Sequence, residues 1–111
     1  MAKEISFWDQ SKRLDWFRAR ALAHKIMSRP EIMTQMRACV ETSWGEDPSK
    51  LRSLGLWRKV LALSPADFMT TILADNAEAE EIRESYPPYV ALSPQERAAY
   101  IEASRREVAL A

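Results

Sequence analysis

The chain contains few of the residues that build cofactor, disulfide or phosphate sites. Among its 111 residues there are two glycines, one cysteine and one histidine. Two glycines are too few for a Gly-rich phosphate-binding loop. One cysteine excludes an intramolecular disulfide and fits a reducing compartment, and a zinc site usually needs three or four ligands at short spacings. We therefore expect no cofactor and no bound metal.

Long hydrophobic runs are also missing. No apolar stretch approaches the roughly 20 residues of a membrane-spanning helix, and charges recur between Lys3 and Arg13, where a signal peptide would be apolar. We therefore expect a cytoplasmic protein. No Gly-x-Ser-x-Gly sequence presents a serine nucleophile, and Cys39 lies on the apolar stripe of a predicted helix, as a core residue does. The sequence predicts no enzymatic activity.

Charge is balanced in total but unevenly distributed. Residues 1–60 contain twelve Lys or Arg and seven Asp or Glu, whereas residues 61–111 contain four and nine, so the halves carry +5 and −5. Either the two halves attract each other within the fold, or one face meets a charged partner.

Capping residues and prolines predict the fold. Helix-start sequences occur at Ser64-Pro65, Asp75-Asn76 and Ser93-Pro94, and Pro87-Pro88 must end the helix before it. No segment alternates with a period of two over a useful length, so no strand is predicted. We expect one all-α domain over residues 1–111, a compact bundle of five or six helices with a long first helix and short later ones.

The caps and apolar stripes also set the expected helix bounds. Predicted helices run from about Ile5 to Met27, Ser28 to Trp44, Asp47 to Leu63, Ser64 onward, Asn76 to Tyr86 and Ser93 to Val108. Ser28 and Glu31 predict a capping box for the second helix. Gly55 either breaks the third helix or lies in a segment that is buried on both sides.

The first predicted helix has two apolar stripes. One contains Trp8, Trp16, Ala19, Leu22, Ala23 and Ile26, and the other contains Phe7, Leu14, Phe17 and Ala21. A helix that is apolar on two sides is either central in its domain or shared with a second chain. We prefer the central position. The stripe of Phe7, Leu14 and Phe17 is the candidate surface for self-association into a homodimer.

Basic residues on the same helix are candidates for nucleic-acid contact. Arg13, Arg18, Arg20 and Lys25 are interleaved with aromatic residues, and such groups can bind phosphates and stack on bases. However, the aromatics have the spacing of a helix core, and the isoelectric point of about 6.6 is low for a DNA-binding domain. We recognise no helix-turn-helix, so DNA binding is the less favoured alternative.

The helix after Asn76 is strongly acidic. It contains Glu78, Glu80, Glu81 and Glu84, and helical spacing brings Glu78 near Glu81 and Glu80 near Glu84. One interpretation is a solvated face, and another is an acidic surface that docks on a basic partner protein. A divalent-cation site is the least favoured interpretation.

The segment Tyr86-Pro87-Pro88-Tyr89 predicts a rigid elbow more readily than a proline-rich recognition segment, because two prolines are too few for a sustained extended ligand.

The residues on either side of this segment resemble those of a group of known proteins. The stretch 73–87, LADNAEAEEIRESYP, followed by LSPQER at 92–97, resembles the tail of small helical bacterial proteins. Those have an acidic, alanine-containing helix, a Leu-Arg-x-Ser-x-Pro stop and then Leu-Ser-Pro-x-Glu-Arg. Ile82 replaces the usual leucine here, and Tyr-Pro-Pro-Tyr replaces a Pro-Phe pair.

These bacterial proteins resemble antitoxin-like partners encoded in two-gene modules, and the resemblance brings no catalytic residues. It implies a non-enzymatic, protein-binding regulator, an antitoxin or inhibitor that occludes a partner protein. The partner expected is a toxin or a nucleic-acid-acting enzyme with a basic surface, and the acidic helix would meet it. The alternatives are a DNA-binding regulator that uses the basic first helix and a self-associating structural helical protein.

Overall fold

The computed structural model describes residues 9–87 and 91–110, the last three by their backbone alone. Within these residues the chain forms six α-helices and no strand, so the predicted all-α class is confirmed. The helices are α1 (Gln10–Ser28), α2 (Glu31–Trp44), α3 (Leu51–Leu61), α4 (Pro65–Ile72), α5 (Ala77–Glu84) and α6 (Pro94–Leu110), with a 3-10 turn at Pro48–Lys50. None of these helices is long and apolar enough to cross a bilayer.

Helix α1 is the central element of the bundle. It is the longest helix, with 19 residues, and it contacts α2, α4, α5 and α6. Its buried residues include Ala19, Leu22, Ala23 and Ile26, which are members of the first predicted stripe. The radius of gyration is 13.9 Å, close to the ~13 Å of a folded chain of this length. The predicted central position of the first helix is confirmed.

Three predicted helix starts are confirmed by their caps. The Ser64 hydroxyl accepts a hydrogen bond from the Asp67 amide at 3.1 Å. The Asn76 side chain accepts one from the Ala79 amide at 2.8 Å. A reciprocal pair of bonds joins Ser93 and the third residue of α6, Glu96, at 3.1 and 2.7 Å. Each bond satisfies an amide that the first turn of a helix leaves without a partner.

The capping box predicted at Ser28 and Glu31 is wrong. Ser28 is the last residue of α1, and its hydroxyl donates back to the Lys25 carbonyl at 3.1 Å. A serine that bonds to its own preceding turn cannot cap the next helix. Helix α2 begins at Glu31 after Pro30 without a side-chain cap, and the Glu31 carboxylate pairs with Arg29 at 3.0 Å.

Trp57 joins α3 to the end of α5. Its side chain is fully buried, and its indole N–H donates to the Ser85 carbonyl at 3.0 Å. Its ring meets Tyr86 edge-on, with centroids 6.1 Å apart, and Phe68 at 6.4 Å. Trp57 therefore fixes the position of the segment that leaves α5.

Arg83 is a buried charge with a structural role. Its side chain is 2% exposed, and Nη1 donates to the carbonyls of Ile72 at 2.7 Å and Ala74 at 2.9 Å. These carbonyls lie at the last residue of α4 and two residues beyond it, where the helix no longer supplies donors. Burial lowers the pKa of the Arg83 guanidinium below its ordinary value.

Gly55 does not break α3. The helix continues from Leu51 to Leu61, and Gly55 lies exposed in its interior. A Cβ atom added there would meet no atom within 4 Å. Its presence in a helix interior therefore costs conformational entropy without a packing gain.

We expect Gly55→Ala to raise the free energy of unfolding by about 0.5–1 kcal/mol, since alanine restricts the unfolded chain and favours the helix. Urea unfolding followed by circular dichroism measures this change. Gly45→Ala is the matched control, because a Cβ at Gly45 would collide with the Glu41 carbonyl oxygen. That variant is expected to lose stability. Equal effects of the two substitutions would contradict the prediction.

Candidate functional site

The opposite net charges of the two halves of the chain form ion pairs with each other within the fold. Among the described residues, five ion pairs join a basic residue of the first sixty positions to an acidic residue of the later ones. They are Lys12–Glu80, Arg20–Glu107, Lys25–Glu96, Arg52–Glu81 and Lys59–Glu78. Opposite charges in the two halves therefore attract each other across helix contacts.

The four glutamates of α5 face two different neighbours. Glu78 pairs with Lys59 of α3 at 3.2 Å, and the Glu81 carboxylate accepts a bond from Arg52 Nη2 of α3 at 2.7 Å. Glu80 instead approaches Lys12 of α1 at 3.7 Å. Glu84 is exposed and has no ion-pair partner within residues 9–87 and 91–110. The structure thus separates the acidic cluster into an α3 side and an α1 side.

The α3-side pairs are solvent-exposed. The hydrogen bond from Arg52 holds the pKa of the Glu81 carboxyl below its ordinary value. The side chains of Arg52 and Lys59 nevertheless remain 74% and 70% exposed. Exposed pairs of this kind contribute little to stability, because water solvates both charges and salt screens them. Glu78 and Glu81 can therefore exchange Lys59 and Arg52 for other cationic partners at a small cost in free energy.

The basic residues of α1 are largely engaged within the molecule. The Arg18 guanidinium donates from Nη2 to the Arg83 carbonyl at 2.9 Å and to Asp15 at 3.2 Å. Arg20 binds the Glu107 carboxylate through two bonds, at 3.0 and 2.7 Å.

The two remaining basic candidates lie elsewhere along α1. Lys25 pairs with Glu96 at 2.7 Å and also donates to the Ala91 carbonyl. Arg13 is half-buried. Arg18, Arg20 and Lys25 therefore already bind groups of the same chain, and Arg13, the fourth residue considered for nucleic acid, also has an interaction partner.

The second stripe of α1 is not a continuous exposed surface. Phe17 is 2% exposed, so the chain itself buries it. Its ring lies under the Arg20 guanidinium, 4.6 Å away. Leu14 is half-buried, and Phe7 lies outside the described residues. A self-association surface cannot use Phe17 in this conformation.

An exposed face runs along α3 beside the α5 glutamates. Leu51 is 63% exposed, and Met27 at 48% is the other large exposed hydrophobic side chain in the part of the chain that the structure describes. Leu51 is followed on its helix face by Gly55, Arg58 and Ala62, all exposed. Arg52 and Lys59 border this face. Leu51 is therefore an exposed apolar residue at the start of α3, with charged residues beside it, and Arg58 in the same row is paired with Glu41. Exposed apolar residues next to charged ones are common in protein-binding surfaces.

A separate cleft lies where α1, the segment after α5 and α6 meet. It has a volume of about 160 Å³ and is lined by Arg18, Tyr86, Leu92, Arg97 and Tyr100. The Arg18 guanidinium lies over the Tyr86 ring, 4.1 Å from its centroid. Burial raises the pKa of the Tyr86 phenol to about 12.

Two buried polar atoms belong to the residues of this cleft. They are Arg18 Nε and the Tyr86 hydroxyl, and neither has a hydrogen-bond partner in the part of the chain that the structure describes. Almost all buried polar atoms in folded proteins are paired, so each exception needs an explanation. This cleft is therefore the second candidate site, beside the α3–α5 face.

Residues 9–87 and 91–110 contain no group of three or more His, Cys, Asp or Glu side chains that could hold a metal ion. His24 is exposed. Cys39, which we expected in the core, is half-buried, with its sulfur 3.9 Å from the Ser43 hydroxyl.

The sequence analysis did not identify the cleft. Arg18 stood out only as one of several basic residues, and Tyr86 only as part of the elbow. Arg97 and Tyr100 belong to a helix whose apolar side is thin. The cleft draws these residues from three segments, and no local spacing signals such a meeting. Comparison with protein-family models, curated proteins and solved structures found no match to this chain.

Proposed function

We propose that this protein is a non-enzymatic, protein-binding regulator that occludes a partner protein with a helical surface. The form we propose is that of an antitoxin or inhibitor, in line with the resemblance of the C-terminal part. The observation that carries the proposal is the exposed α3–α5 face, with the exposed Leu51 at the start of α3 and the ion-paired Arg52, Lys59, Glu78 and Glu81 beside it.

The partner we propose has basic side chains around an apolar patch. Its Lys or Arg residues would take Glu78 and Glu81 from Lys59 and Arg52. This exchange costs little, because the internal pairs are exposed to water. The apolar patch of the partner would cover Leu51, which is 63% exposed in the free protein, and burial of this side chain would supply binding free energy.

Direct contact, more than long-range steering, would dominate this interaction. Arg52 and Lys59 offset the charges of Glu81 and Glu78 before the partner arrives. The face therefore has little net charge with which to accelerate encounter. We expect the association rate to depend only weakly on salt between about 0.05 and 0.5 M, while substitution at Leu51 changes the dissociation rate.

The test compares two exposed hydrophobic side chains. Tagged wild-type protein, Leu51→Glu and Met27→Glu are used as baits in lysate of the native host, and the bound proteins are quantified by mass spectrometry. We expect one partner to be retained by wild type and Met27→Glu and to be depleted at least tenfold with Leu51→Glu. Circular dichroism establishes that each bait is folded.

The partner found in this way is then purified and its affinity measured with Arg52→Glu and Lys59→Glu. Both substitutions place like charge next to Glu81 and Glu78 and create a more acidic face, which a basic partner should bind more tightly. Equal capture by the Leu51 and Met27 variants would remove the α3–α5 face from the proposal. Weaker binding by both acidic variants would contradict a basic partner.

A further inference from the structure

Two buried donors that belong to residues of the cleft between α1, the segment after α5 and α6 have no hydrogen-bond partner among residues 9–87 and 91–110. The Arg18 guanidinium uses Nη2 for the Arg83 carbonyl and for Asp15, whereas its Nε has no partner. The Tyr86 hydroxyl is also without a partner. Arg18 is held in place by these bonds and by its position over the Tyr86 ring, so it cannot turn to satisfy Nε elsewhere.

The charge balance of the cleft favours an anion. Two guanidinium groups, of Arg18 and Arg97, line it, and one carboxylate, of Asp15, touches Arg18. The neighbouring carboxylate of Glu96 is already paired with Lys25. Arg97 is exposed and makes no ion pair with the described residues. A guanidinium with free donors binds carboxylate oxygens through strong, charge-assisted hydrogen bonds.

The remaining lining is apolar, and the cleft is partly open to solvent. Leu92 and the rings of Tyr86 and Tyr100 form these walls. The cleft volume of about 160 Å³ is close to the ~150 Å³ of apolar cavities that accept a benzene molecule. The best match is therefore a single small ring or a short aliphatic chain that carries one negative group.

We propose that this cleft binds a small organic carboxylate. The apolar body of the ligand lies against Leu92 and the two tyrosine rings. Its carboxylate accepts hydrogen bonds from Arg97, from the Tyr86 hydroxyl and from Arg18 Nε. This site is independent of the proposed protein-binding face, which lies on α3 and α5.

Access to the two buried donors requires a movement at the mouth of the cleft. Arg18 Nε and the Tyr86 hydroxyl are out of contact with solvent. Tyr100 is half-buried and Arg97 is exposed, so these two side chains are the least constrained by packing. Rotation of Tyr100 and Arg97 admits the ligand. The free-energy cost of this rotation is offset when the two buried donors form hydrogen bonds with the ligand.

The test uses benzoate as the probe, added to isotope-labelled protein at constant pH and ionic strength and followed by NMR. We expect saturable shifts of the Arg18 Nε–H resonance and of the Tyr86 ring, with a dissociation constant in the millimolar range. Benzamide, which has the same shape without the charge, should bind at least tenfold more weakly. Inorganic phosphate, which lacks the apolar body, should also bind at least tenfold more weakly than benzoate.

Variants locate the site on the protein. Arg97→Gln is expected to weaken benzoate binding about tenfold. Arg105→Gln removes the same charge from the same helix, about 12 Å further along its axis, and should leave binding unchanged. Tyr86→Phe is expected to weaken binding without lowering the midpoint of urea unfolding, because the hydroxyl it removes has no partner in the free protein.

Several outcomes would overturn the proposal. They are a linear, non-saturating response to benzoate, equal binding of benzamide, tighter binding of phosphate, or equal effects of Arg97→Gln and Arg105→Gln. Full benzoate affinity in Tyr86→Phe would contradict the assigned hydroxyl contact. Because Arg97 and Arg105 are both exposed, these variants should fold, and the comparison between them remains informative.

Discussion

Replacement of Trp57 by alanine is expected to lower the free energy of unfolding by about 3–5 kcal/mol. The side chain is fully buried, so its removal leaves a large cavity between α3, α4 and the segment after α5. The Ser85 carbonyl also loses the indole N–H. Small domains are stable by only about 5–15 kcal/mol in total, so this variant should be close to unfolded at 37 °C.

Urea unfolding followed by circular dichroism measures the Trp57 prediction. Trp57→Phe separates the two contributions, since it restores most of the ring volume but not the N–H. We expect Trp57→Phe to retain more than half of the unfolding free energy that Trp57→Ala loses. The control is Trp16→Phe, at a tryptophan that is only half-buried and whose N–H makes a longer bond of 3.3 Å to the Leu73 carbonyl. A smaller loss in Trp57→Phe than in Trp16→Phe would contradict the assigned role.

Arg83→Met should destabilise the protein by about 3 kcal/mol, although methionine replaces most of the aliphatic part of the arginine side chain. The carbonyls of Ile72 and Ala74 lose the guanidinium donor. Buried acceptors without a partner cost about 1–3 kcal/mol each. The change removes the charge itself, so no unpaired cation remains, and the expected loss combines the unpaired carbonyls with the lost attraction to the nearby carboxylates of Glu80 and Asp15.

Thermal and urea unfolding test the Arg83 prediction against an exposed arginine. Arg105→Met removes a guanidinium from the surface of α6 and should change stability by less than about 0.5 kcal/mol. Arg83→Lys should recover only part of the loss, because the lysine side chain ends about one bond short of Nη1, the nitrogen that donates to both carbonyls. A loss in Arg83→Met no larger than that in Arg105→Met would show that other groups satisfy the end of α4.

The local parts of the fold could be predicted from sequence because their signals are local. Ser64, Asn76 and Ser93 cap helices through bonds to amides three residues away. Such bonds depend on little beyond the neighbouring sequence. Ser28 shows the limit of this reasoning. Ser28 lies between the last turn of α1 and the first turn of α2, and its hydroxyl donates to the carbonyl of Lys25 in α1.

The role of the charged residues could not be predicted in the same way. The charge of each half was evident from composition, but the partners of each side chain depend on which helices become neighbours. Arg52 and Glu81 are 29 positions apart in sequence, and Arg20 and Glu107 are 87 apart. Sequence spacing identified the acidic helix as a surface, and the structure showed that α1 and α3 already neutralise three of its four glutamates.

By itself the sequence determined the all-α class, the central first helix and most helix starts, because hydrophobic period and capping act over a few residues. Only the tertiary structure decided that Arg83 lies inside, that Leu51 lies outside and that Arg18, Tyr86 and Arg97 border one cleft. Burial and long-range pairing depend on how whole helices pack. A side chain of given chemistry is a core group, a surface group or part of a site according to the helices that meet it.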